Sequence, residues 1–170
     1  MTLNGLIETF PKELKVLIAA FILVLSIGFY TGLLFVNETS SSDPDGIEEQ
    51  YLGNEDDLDA TVMKFKKNEQ QMLTLVHGHI LSMSIIFFLT GLIFVTTRLN
   101  LRLKLLLLIE PFISILLTFG GIYLLWKGFL WMKYIVMISG TLMTLSYTIV
   151  VLIILKQLFM PSAKRDISKA

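Results

Sequence analysis

Two histidines, His77 and His79, lie two positions apart inside a long apolar stretch, and they are the only histidines in the chain. An ionisable ring at membrane depth is costly unless it is paired or used. On a regular helix, residues two apart point about 200° away from each other, so the two rings cannot clip one metal ion from an undistorted helix. They split into two roles. His79 shares a face with Met72, Ser82, Met83 and Ile86, whereas His77 shares one with Gln70, Leu73, Thr74, Leu81 and Ser84. One ring is expected to face the bundle interior, the other a neighbouring helix, a lipid headgroup or a partner subunit. Three chemistries suit such rings. One histidine could be an axial ligand to haem b, opposite a methionine such as Met83 or Met143 or a histidine of a partner. A neutral imidazole could donate or accept at a quinone or proton-handling site. Both rings could also be structural, bonded to backbone carbonyls or to the acidic loop described below. His77, His79 and Met83 are therefore the candidate haem or quinone residues.

Glu110 is the one carboxylate inside an apolar run. An intramembrane carboxylate is a functional candidate by default, yet Arg98, Arg102 and Lys104 lie towards the same end and are expected to pair with it. Ten carboxylates and three lysines fall between Asn37 and Met72. Asp43-Pro-Asp45-Gly46 and Asn54-Glu-Asp-Asp57 are oxygen-rich, but they lack the ligand spacing and terminal bidentate glutamate of a calcium loop. A docking surface for a partner is the better expectation there. The absence of cysteine excludes disulfides, thiolate metal sites and covalently attached haem. No nucleophile motif, phosphate loop or H-E-x-x-H is present. No basic surface interleaved with aromatics suggests nucleic acid.

The elements that must position these residues follow from four apolar runs. Each has the roughly 20 residues that a helix needs to cross a hydrocarbon core. With 54% hydrophobic and 16% charged residues in 170, the chain reads as a single transmembrane domain. Helices are expected over about 12–36, 69–99, 103–126 and 134–159, with a polar loop over 37–68. Leu3, Leu6, Ile7 and Phe10 have the spacing of a short amphipathic helix on the membrane surface. Pro11 suits the first turn of the helix that follows. Gly28 and Gly32 form a G-x-x-x-G that lets another backbone approach closely. Within the loop, Asp43 can cap a short helix with Pro44 at its first position and Gly53 past its end. Asn68 and Gln71 have the spacing of a capping box. Trp126, Phe129 and Trp131 form an interfacial aromatic belt.

Charge sets the expected orientation. The 98–104 connection and the tail with Lys164, Arg165 and Lys169 are basic, and the 37–68 loop is acidic. The positive-inside rule puts both termini in the cytoplasm and the loop in the periplasm of a bacterial inner membrane.

Gly46-Ile-Glu-Glu-Gln-Tyr-Leu-Gly-Asn-Glu55, followed by a lysine-rich link and His77-Gly-His79-Ile-Leu-Ser-Met83, resembles a family of small uncharacterised bacterial inner-membrane proteins. In that family a GIxExYxGNE loop precedes an HxH helix, and Phe112 to Gly121 (FISILLTFGG) also fits the pattern. The resemblance implies that the loop and the HxH helix act together; it implies no particular activity.

The expectation is thus an all-α integral membrane four-helix bundle with a short N-terminal interfacial helix and an acidic periplasmic loop. It would serve as a non-enzymatic subunit or accessory protein of a larger inner-membrane assembly, with a respiratory or other redox complex as the first host to consider. Gly28, Gly32, Tyr51, Asn54 and Glu55 are the expected partner-facing residues, with other membrane subunits, a second copy and the lipid bilayer as partners. The alternatives are a haem b electron-transfer protein and, more weakly, a transporter component, for which broken or repeated helices are missing.

Overall fold

Local signals begin most of the helices. In the computed structural model, which describes residues 3–40, 43–55, 57 and 62–159, the Asn68 side chain accepts from Gln71 N while Gln71 Oε1 accepts from Asn68 N, both at 2.9 Å. That capping box opens α3, Glu69–Val95. Asp43 Oδ1 accepts from Gly46 N at 2.7 Å and opens α2, Pro44–Leu52. Asn100 caps α4, Leu101–Trp126, through the Arg102 N–H. The remaining helices are α1, Lys12–Ser40, and α5, Met132–Phe159. The described residues are all helix, turn or coil, and α1, α3, α4 and α5 are each long and apolar enough to cross a membrane. Lys164, Arg165, Lys169, Asp56, Leu58 and Asp59 lie outside the described residues.

Helix ends differ from the sequence reading where side chains decide them. Helix α1 continues beyond Val36 to Ser40, with the Thr39 hydroxyl donating to Phe35 O. Helix α3 stops at Val95 rather than 99, because the Thr96 and Thr97 hydroxyls turn back onto Ile93 O and Phe94 O and close the last turn. The N-terminal segment is a 3₁₀ turn, Leu6–Thr9, and it does not simply lie on the surface. Ile7 is fully buried, and its N–H donates to Thr96 O.

The core is the α4–α5 hairpin, with α3 against α4. Between α4 and α5, Thr118 Oγ1 and Ser139 Oγ share a hydrogen bond of 2.7 Å. A Cβ on Gly121 would sit 2.9 Å from Val136 Cγ2, so only glycine permits this approach. Small residues and hydroxyl pairs are what hold helices together in lipid, where apolar side chains gain little by leaving the bilayer. Helix α1 joins α5 through an aromatic and hydroxyl cluster, in which Tyr30 also shares a hydrogen bond of 2.8 Å with Thr148. Phe29 stacks on Tyr147 of α5 at 4.1 Å, and Tyr147, fully buried, shares a hydrogen bond with Ser26 at 3.2 Å.

The two ends are clamped differently. At the basic end, Lys104 Nζ donates to Asn4 Oδ1, Val95 O and Thr97 O. Arg98 pairs with Glu8 at 3.1 Å, and the Gln157 amide brackets the Arg98 backbone from α5. At the acidic end, Lys133 holds Asp45 at 2.8 Å and Glu48 at 2.7 Å, tying α2 to α5. The Trp126 Nε1–H donates to Lys67 O at 2.7 Å, and Lys127 lies over the Trp126 ring. The start of α3 is thereby level with the aromatic belt.

Candidate functional site

The loop preceding α3 folds onto itself through the Gly-Asn-Glu triplet. Gly53 has φ +85, and a Cβ there would lie 2.7 Å from Lys66 N and 2.9 Å from Lys64 O. Asn54 Oδ1 accepts from Lys64 N at 2.7 Å, its backbone N–H donates to Lys64 O, and its Nδ2 donates to Val62 O. Glu55 Oε1 accepts from Lys66 N, and Tyr51 O from Lys67 N. Three residues expected to face a partner, Tyr51, Asn54 and Glu55, thus form a clip that sets where α3 begins. Burial pushes the Tyr51 phenol up to about 12. Within the extended segment Lys64 and Lys66 bond inward, so Met63 and Phe65 alternate outward and are exposed, as is Val62. They do not pack onto the bundle mouth.

From that clip α3 descends, and about 15 Å below its first residue, by helix rise, it carries His79. The imidazole stacks on Phe119 of α4, with centroids 4.8 Å apart, and Nδ1 lies 2.8 Å from Leu75 O. A carbonyl can only accept, so Nδ1 carries the proton, and in the neutral ring Nε2 keeps its lone pair. An open groove of about 600 Å³ runs along this side of α3, lined by Gln71, Thr74, Leu75, Gly78, His79 and Ser82. Gly78 leaves open space where a side chain would stand. The Thr74 hydroxyl donates to Gln70 O at 2.8 Å and the Ser82 hydroxyl to His79 O at 3.3 Å. Both hydroxyls turn back onto the backbone of their own helix.

The structure does not bring the other candidates to this place. His77 is exposed on another side of α3, with no hydrogen bond among the described residues. Met83 is half-buried against the core, outside the groove. Phe119 was missed in the sequence reading; its only signal was membership of the FISILLTFGG run. Gly28 and Gly32 of α1 are exposed, and a Cβ on either would meet nothing within 4 Å, so the motif is not used within the chain.

The expected ion pair of Glu110 is corrected. Its Oε1 accepts from the Ser114 hydroxyl, its Oε2 is buried without a hydrogen-bond partner, and no salt bridge reaches it among the described residues. Lys104, six residues earlier, is about 9 Å lower on the helix and is already taken by Asn4 and two carbonyls. Arg98 is taken by Glu8. Glu110 lies nine residues from Phe119, about 14 Å along α4, so it is not part of the histidine groove.

Four long apolar helices, a covered α4–α5 seam and an interfacial aromatic belt define a helical, multi-pass integral membrane protein in contact with the lipid bilayer. Within that class, the chain belongs to a family of transmembrane helical domains, whose family model matches residues 41–165. Comparison with curated proteins and with solved structures gives no match. The family match spans the clip and α3 to α5 and starts beyond α1.

Proposed function

We propose that the protein is a non-enzymatic subunit or accessory protein of a larger inner-membrane assembly, joined to its neighbours by lateral helix packing. The observation that carries this reading is the Gly28/Gly32 motif of α1. It sits at membrane depth, faces away from the chain's own helices and meets open space. Close-approach glycines gain their packing only when another backbone fills that space. His77 adds to the reading, since an uncovered ring about 12 Å below the start of α3 is costly in lipid and inexpensive against protein. The charge distribution supports cytoplasmic termini and a periplasmic acidic cap: Lys12, Lys15, Arg98, Arg102 and Lys104 gather at one end, whereas at the other end Lys64, Lys127 and Lys133 are each paired with a carboxylate, Glu49, Glu69 and Asp45 with Glu48.

Purification of the tagged full chain from native membranes in mild detergent tests it. Stoichiometric partner subunits, or a second copy, are expected with the wild type and are lost on Gly28→Leu with Gly32→Leu while helicity and melting are unchanged. A wild-type chain that emerges alone contradicts the reading.

A second reading, haem b held by His79, has one observation in its favour: the ring is fixed through Nδ1 by a carbonyl, as metal-bound histidines usually are. Within this chain, His77 and Met83 stand on the same helix outside the groove and Met143 is buried in the core from α5, so the opposite axial ligand would come from a partner subunit.

A further inference from the structure

We infer that the extended segment 62–67 is a phospholipid-binding strap, with Val62, Met63 and Phe65 at the acyl boundary and Lys66 and Lys67 on lipid phosphodiesters. Trp126 sets its height. The rise along α4 from Lys104 to Trp126 is about 33 Å, close to the thickness of a hydrocarbon core. The indole therefore stands where acyl chains give way to headgroups. Its N–H donates to Lys67 O at 2.7 Å, and Lys66 Nζ lies 5.8 Å from the centre of the same ring. Phe65 is two residues from Lys67, at most about 7 Å along an extended chain. That is about the depth of one headgroup layer.

The chemistry of the segment suits that layer. Val62, Met63 and Phe65 are exposed, Phe65 by 70%. The inward backbone edge is taken by the clip: Lys64 N–H donates to Asn54 Oδ1, Lys64 O accepts from Asn54 N–H, and Lys66 N–H donates to Glu55 Oε1. The outward N–H and C=O groups of Met63 and Phe65 have no partner among the described residues. Such groups are too costly in hydrocarbon, whereas hydrated headgroups solvate them. The backbone thus stays among headgroups while the apolar side chains reach the acyl boundary. Nearby carboxylates are committed elsewhere, Glu49 to Lys64, Glu69 to Lys127, and Asp45 with Glu48 to Lys133. Lys66 and Lys67 are left without a carboxylate partner among the described residues. Two ammonium groups beside a belt indole, next to an exposed phenylalanine, match a phosphodiester above acyl chains. A strand of another protein added to the outward edge is the competing occupant; the belt height and the two lysines favour lipid.

Spin labelling of the full chain in nanodiscs of phosphatidylethanolamine and phosphatidylglycerol tests the proposal. The chain has no cysteine, so Phe65→Cys, Met63→Cys, Asp45→Cys and Leu116→Cys each carry one nitroxide. The Asp45 side chain, 84% exposed on the cap, marks water, and Leu116 marks the acyl region. The ratio of collisions with oxygen to collisions with a nickel chelate is expected to fall between these two references for Phe65→Cys and Met63→Cys, at a depth within about 7 Å of the phosphates. Lys66→Glu with Lys67→Glu is expected to move the Phe65→Cys ratio towards that of Asp45→Cys, whereas Lys66→Arg with Lys67→Arg leaves it unchanged. A ratio equal to that of Asp45→Cys, a depth equal to that of Leu116→Cys, or a nitroxide reached by neither reagent, as under a covering protein, overturns the proposal. An unmoved ratio in the double glutamate variant overturns the phosphodiester contact.

Discussion

The α4–α5 hairpin and the α1/α3 side of the molecule are built from equally apolar sequence and end up covered to different degrees. In the most apolar eighteen residues of each helix, 44% of α4 and 39% of α5 are buried, against 17% for α1 and for α3. The hairpin earns its closeness from Gly121 against Val136 and from the Thr118–Ser139 hydroxyl pair. Glycines and polar side chains of the same kinds recur on α1 and α3, at Gly28, Gly32, Thr74, His77, Gly78, His79 and Ser82, but there they face outward. Since lipid packs against leucine about as well as protein does, small and polar residues at membrane depth are the informative ones. One side of the bundle has satisfied them internally. The other leaves them uncovered.

The sharpest way to break that comparison is at Tyr147, the buried ring on which Phe29 of α1 stacks. Tyr147→Ala removes the ring stacked on Phe29 and leaves a cavity, with an expected loss of about 3 kcal/mol in detergent unfolding. Leu116→Ala, on the lipid side of α4 and 62% exposed, should stay within about 0.5 kcal/mol. Equal losses would erase the distinction between covered and uncovered faces. A smaller effect is expected at the clip. Gly53→Ala forces a Cβ into the Lys64–Lys66 backbone at a positive φ, and should cost more than about 1 kcal/mol. Limited proteolysis should then cut the 53–67 loop faster while the α4–α5 hairpin remains intact. The smallest effect is confined to alkaline pH. Burial raises the Tyr51 phenol from 10 to about 12, so the folded state holds this proton longer than the unfolded chain does. Its contribution is complete below pH 10 and declines as pH rises through about 12. Tyr51→Phe should flatten the stability profile in that window and leave pH 7 unchanged.

What the sequence disclosed was mostly local. The Asn68/Gln71 box and the Asp43-Pro44 start were legible because a cap is satisfied by residues three positions away. The number and approximate extent of the long helices followed from hydropathy and bilayer thickness. Azimuth was not legible. Nothing in the spacing of His77 and His79 says that Phe119 of another helix will take one ring's face, nor that Gly78 will leave open space beside His79. Glu110 shows the same limit. Three cations near it in sequence were reason to expect an ion pair, but competition among acceptors gave Lys104 to carbonyls and Asn4, and Arg98 to Glu8. The Gly-Asn-Glu triplet was noticed for its pattern, whereas its use as a backbone clip depends on a glycine conformation that only the fold reveals.

The most direct measurement is labelling of the wild-type protein by a lipid-phase carbene reagent in native membranes, mapped by residue. Val24 and Phe35 flank the Gly28/Gly32 face of α1, while Ile113 and Leu116 face outward from α4, and all four are exposed in the isolated chain. If the uncovered side is occupied by a neighbouring protein, Val24 and Phe35 are protected in native membranes relative to Ile113 and Leu116, and the difference vanishes after purification and reconstitution in lipid alone. Labelling of Val24 and Phe35 as strong as that of Leu116 in native membranes would contradict the account.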